Sequence, residues 1–68
     1  MKKSEIKAKA IEIINKQDNL VDAYTSVLGA NDPETIKQRT KWNAMLDAFA
    51  ELLDMSVCDL IHDCVWSR

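Results

Sequence analysis

The sequence predicts an all-α fold: a long antiparallel helical hairpin followed by a short third helix, together a three-helix bundle. Three observations lead there. The 68 residues include one Gly and one Pro, too few turn formers for a set of strands. Apolar residues recur at steps of three and four along three stretches, each time drawing one helix face. Stop and start signals stand at Gly29, at Asp32-Pro33-Glu34 and at Ser56, where such signals divide helices. The length suits a single domain over 1–68, with helices at 4–28, 33–54 and 56–66.

The first helix carries a heptad seam. Ala10, Ile13, Gln17, Leu20, Tyr24 and Val27 step 3, 4, 3, 4, 3, with Ile14, Val21 and Leu28 beside them. Five polar residues, Asn15 to Asn19, interrupt it. The apolar phase is the same before and after the gap, so one continuous helix is expected, with Gln17 as a polar point in the seam. Gly29 is placed to stop it through a left-handed conformation.

Asp32 can cap the second helix, Pro33 suits its first position, and Glu34 favours the positive end of the dipole. Its richest part is Trp42, Met45, Leu46, Phe49, Leu52 and Leu53, a wide apolar stripe. Folding the hairpin at its short loop sets Ile13 near Phe49, Leu20 near Trp42 and Tyr24 near Gln38. The third helix opens at Ser56, with Asp59 at capping-box spacing and Met55 and Leu60 at staple spacing. Its stripe is Val57, Leu60, Ile61, Cys64 and Val65.

The net charge is −2, which gives no general attraction to nucleic acid. The charge is uneven. Lys2, Lys3, Lys7 and Lys9 oppose Glu5 at the start, while Asp47 to Trp66 holds five acids and no Lys or Arg. Folding is expected to bring these two ends together. No apolar leader follows Met1 and no run reaches the roughly 18 residues of a membrane span. A cytoplasmic protein with no membrane partner is expected. Cys58 and Cys64 lie about 9 Å apart along one helix, too far for a disulfide, and are expected to be thiols.

Helix lengths carry the argument about assembly. The first two helices should each reach roughly 33–37 Å and the third only about 15 Å. The third can roof one half of the hairpin. The other half, with Leu20, Tyr24, Val27, Leu28, Ile36 and Trp42, is left as two bare helices, and two helices hide their stripes poorly. A second chain is expected over it, most simply another copy in a homodimer. A heterologous protein is the other occupant, and Trp42 would then be an anchor residue.

The residues offer little chemistry. Asp54, Cys58 and His62 share a helix face at four-residue spacing, but a structural zinc needs four ligands, and no CxxC or HxxxH is present. A thiol nucleophile needs a base and an orienting group in a pocket, and one Gly leaves no phosphate-binding loop. No catalytic, cofactor-binding or metal residue is expected, and the chain is expected not to be an enzyme.

Ala50 to Ile61 resembles the corner of helix-turn-helix domains and the helical half of ribbon-helix-helix repressors. The second resemblance implies a dimeric DNA-binding regulator with a strand over Ile36-Lys37-Gln38-Arg39-Thr40, and Lys37, Gln38, Arg39 and Lys41 as the nucleic-acid contacts. Asp54 stands where both families usually have Gly, and Asp59 and Asp63 occupy positions where a reading helix needs donors. The opening Asp32-Pro33-Glu34-Thr35-Ile36 and the segment Arg39 to Trp42 also resemble small uncharacterised helical proteins of bacterial and phage genomes. That resemblance implies an accessory protein of a mobile element that acts by binding another protein. A protein-interaction module is the expectation the residues favour.

Overall fold

A computed structural model describes residues 2–66. It holds three helices: α1 over Lys3–Leu28, α2 over Pro33–Leu52 and α3 over Val57–Trp66. The fold is all-α, with α1 packed along α2 and α3 crossing one end of the pair. The whole measures 39 × 20 × 19 Å, so the length of α1 is the length of the molecule. No helix among the described residues is long and apolar enough to cross a membrane.

α1 runs unbroken through Asn15–Asn19. The polar run survives inside a helix because two of its members meet other helices. Asn15 Nδ2 donates to the Cys64 carbonyl at 3.4 Å, which ties down the end of α3. Gln17 is buried and reaches α2. The helix stops where Gly29 takes φ 90 and ψ 157, its N–H bonded to Thr25 O at 3.0 Å. The sign of φ is the one expected, but ψ is not that of the left-handed helix. This pair of angles is essentially reserved for glycine.

α2 starts as its sequence prescribes. The Asp32 carboxylate accepts the Glu34 N–H at 2.9 Å, and Pro33 fills the first turn. Its end comes two residues before the expected 54. Met55 N–H bonds Ala50 O and Asp54 N–H bonds Glu51 O, with Asp54 at φ 55. This is a Schellman ending with Asp in the position that usually holds Gly. Ser56 then caps α3 from outside, its Oγ accepting the Asp59 N–H at 3.1 Å, so the third helix proper begins at Val57 rather than Ser56.

The apolar core lies at the α3 end. Ala10 and Ile14 of α1, Leu46 and Ala50 of α2, Leu53 of the corner, and Leu60 and Cys64 of α3 are buried together. Burial raises the pKa of the Cys64 thiol, with the Asp63 carboxylate adding to the shift, so Cys64 acts as a small apolar group. Lys7 and Asp63 meet at 2.6 Å across α1 and α3, which joins the basic start to the acidic end. Past α3 the interior changes character. The buried residues there are Gln17, Thr35 and Gln38.

Register is the main departure from the sequence expectation. Gln38 faces Gln17, not Tyr24. The two partners of Gln38 are seven residues apart, one heptad, so the hairpin is shifted by two turns. Gln17 donates to both Gln38 oxygens, backbone and side-chain, and that gain is available only in this register.

Candidate functional site: the open flank of the hairpin

Helical phase sorts each helix of the hairpin into two flanks. On α1, Lys7, Ile11 and Asn15 belong to the α3 side: Lys7 and Asn15 bond α3, and Ile11 packs on the core. Leu20 lies nine residues from Ile11, two and a half turns, and so points the opposite way. Ile13 and Val27 stand seven residues to either side of it on the same line. Exposure rises along that line. Ile13 is half-buried, Leu20 is 47% exposed and Val27 is 80% exposed.

On α2 the matching line runs through Gln38, Met45 and Leu52 at seven-residue spacing. Met45 is half-buried and Leu52 is 63% exposed. Phe49, half-buried between them, and Met45 both pack partly on the core. The flank is thus two apolar rows with the Gln17–Gln38 pair where the helices meet. At the loop end, Ala23, Tyr24, Val27 and Leu28, all on α1, line a shallow open depression of about 230 Å³.

Total exposure agrees with an unfinished surface. The chain exposes 4758 Å². A monomer of this mass typically exposes about 4,300 Å². The excess of about 400 Å² is half of what one side of a standard interface buries, about 800 Å².

The residues expected to be uncovered are not all brought together. Leu20, Tyr24, Val27 and Leu28 share the loop end of α1, with Leu20, Val27 and Leu28 exposed and Tyr24 half-buried. Ile36 is 50% exposed but lies nine residues from Met45, on the other flank of α2. Trp42 is half-buried and packs against the core of its own chain. Its indole Nε1 is buried without a hydrogen-bond partner. Sequence reasoning set Met45, Phe49 and Leu52 in the apolar stripe of the second helix but not among the uncovered residues, although their 4 and 3 spacing continues the line from Gln38.

The alternative nucleic-acid set is divided as well. Lys37, Arg39 and Lys41 are exposed, while Gln38 is buried with its side-chain oxygen occupied by Gln17. The strand implied over Ile36–Thr40 is helix, because Asp32 and Pro33 start α2 ahead of it. There is no strand among the described residues.

The remaining polar clusters are small. Glu12 sits between Lys9 at 3.5 Å and Lys16 at 3.3 Å. Hydrogen bonding to Lys16, then the charge of Lys9, holds its carboxyl below the ordinary value. The Trp66 indole donates to His62 Nε2 at 2.7 Å. No protein-family model, curated protein or solved structure matches this chain.

Proposed function

We propose that this chain is a protein-interaction module whose binding surface is the open flank of the α1–α2 hairpin. The observation that carries the reading is the line Ile13, Leu20, Val27. It keeps heptad spacing, the spacing of a helix–helix seam, yet its members grow more exposed along α1, from half-buried Ile13 to Leu20 and Val27. A large apolar side chain 80% exposed, as Val27 is, stands beside that shallow depression and in line with Leu20. Contiguous apolar surface of this kind marks association sites. The mechanism is burial of the two apolar rows against a partner helix, without chemistry on the partner.

A double substitution tests this. Leu20→Asp with Val27→Asp should leave the unfolding free energy of the dilute chain within about 0.5 kcal/mol, since both positions are exposed. The native chain, isolated under native conditions, should sediment as an assembled species, and the variant should lose it. Retention of that species by the variant would place the binding surface elsewhere.

A further inference from the structure

The Gln17–Gln38 pair fixes how far α1 outruns α2. Pro33 precedes Gln38 by as many residues as Asp22 follows Gln17, so the start of α2 is level with Asp22. Residues 23–28 of α1 therefore extend about 9 Å past the start of α2. This overhang is why Val27 is 80% exposed, and why every residue lining the depression there belongs to α1. The overhang carries no charge on the flank. Every charged residue on the flank side of α1 lies at or before Lys16: Glu5, Lys9, Glu12 and Lys16 itself. Asp18 and Asp22 follow the line of Ile11, on the other side. The overhang is also the negative end of the helix dipole, and its last turn holds no basic residue.

The apolar line reads alike in both directions. Leu20 is central, with Ile13 and Val27 at equal distances from it. A second α1 laid antiparallel about a two-fold axis at Leu20 sets Leu20 on Leu20 and Ile13 on Val27, so each apolar position meets another. The same operation sets Lys16 opposite Tyr24 and Glu12 opposite Leu28. Charged stretch thus lies on uncharged overhang, and no charge faces a like charge along the seam. Lys9 and Lys16 of each copy bracket the negative end of the other copy's α1. Level with Leu20, α2 adds Glu34 and Lys37, one of each sign, which pair crosswise. A parallel pairing would instead set each lysine beside its own image.

The chain's own core is small. Among the described residues the largest fully buried side chains are Ile14, Leu46, Leu60 and Thr35, the last of them polar. Short domains with so little core are often completed by a second copy, and a second copy is present wherever the chain is made.

We infer that the open flank is the seat of a second copy of this chain: two α1 helices pack antiparallel about a two-fold axis at Leu20, each overhang lying on the Lys9–Lys16 stretch of the other. The inference rests on the interaction reading above and names the occupant.

The purified full chain, with no other protein present, tests it by sedimentation equilibrium. At tens of micromolar it should have the mass of two chains. Leu20→Asp and, separately, Val27→Asp should each raise the dissociation constant at least about tenfold and keep the helical circular dichroism. Tenfold more salt should change that constant by less than about threefold, since no like charges face. Spin labels at Glu12→Cys, in a Cys58→Ser background, read the geometry. They should lie about 24 Å apart along the helices, against about 10 Å for parallel pairing. A dimer with the short distance overturns the inference. So does a chain that stays monomeric by itself, whether or not it then binds anionic vesicles or a foreign helix; the interaction reading survives that result if position 20 crosslinks to another protein. A dimer that neither Asp substitution weakens overturns both.

Discussion

Gln17 donates both hydrogens of its side-chain amide to Gln38, one to the backbone carbonyl and one to the side-chain carbonyl, each at 2.9 Å. The pair is buried and lies 21 residues apart in sequence. It stands where the apolar core ends and the open half of the hairpin begins, and it fixes which turn of α1 faces which turn of α2.

Removing one member leaves the other short of a partner. Gln17→Ala should lower the unfolding free energy by about 1–3 kcal/mol, the range for stranding a buried polar group and losing its bonds. Replacing both residues with Leu should be far milder, near neutral or stabilising. The double variant should show the cost elsewhere, as a second population of inter-helix distances between labels on α1 and α2. Urea unfolding checks the first part and paramagnetic distance measurement the second.

The C-terminal ends of α1 and α2 predict opposite responses to small substitutions. Gly29 has φ 90 and open space around the position a Cβ would take. Gly29→Ala should therefore destabilise by about 1 kcal/mol or more through backbone strain alone, with no clash to relieve. Asp54 holds φ 55 without being glycine. Asp54→Gly should stabilise by about 0.5–1 kcal/mol, since Gly adopts that conformation at no steric cost. Chemical denaturation of both variants decides, and the signs should differ.

Lys7 and Asp63 give the acid dependence of α3 docking. The hydrogen bond from Lys7 lowers the Asp63 pKa, against an opposing push from burial. A carboxyl with a lowered folded pKa adds stability above its unfolded value, and loses it as pH falls through the folded one. The stability gap between the native chain and Lys7→Gln should thus be full near neutrality. It should begin to close as pH falls past the ordinary aspartate value, about 3.9, and vanish at lower pH. Urea titrations of the two proteins at stepped pH measure that gap directly.

The core at the α3 end should respond as ordinary packing. Leu46 is 2% exposed among Ile14, Ala50 and Leu60. Leu46→Ala should cost about 2–5 kcal/mol. Leu52→Ala, at a residue 63% exposed in the next turns of the same helix, should change stability by no more than about 0.5 kcal/mol. Thermal or urea unfolding of the two variants separates core from flank.

The helix ends were legible because capping is local chemistry. Asp32, Pro33, Gly29 and Ser56 each act within a few residues of where they stand. The continuity of α1 was legible from phase, and the bareness of Leu20, Val27 and Leu28 from helix lengths alone. Register was not legible, for a physical reason. An apolar heptad pattern moved by seven residues still matches itself, so burial hardly distinguishes pairing Gln38 with Tyr24 from pairing it with Gln17. Only the hydrogen bonds of the two amides choose, and their partners are invisible until the helices meet. The flank assignments followed from that. α3 docks on the Ile11 side, the hairpin turns Ile14 rather than Ile13 into the core, and the Leu20 line is left outside. Trp42 was expected in the core or a dimer seam, with an anchor for a foreign partner as the alternative; its phase puts it with Leu46 and against the core.

The most direct measurement is site-specific photocrosslinking from position 20 in the source cell. A photoreactive residue at Leu20 should give one discrete adduct with a partner protein, lost when Val27 is also changed to Asp, while the same group at Asp47, in line with Ile36 on the other flank of α2, gives none. Absence of an adduct from position 20, or the same adduct from position 47, would contradict the claim that this flank is the surface the protein works through.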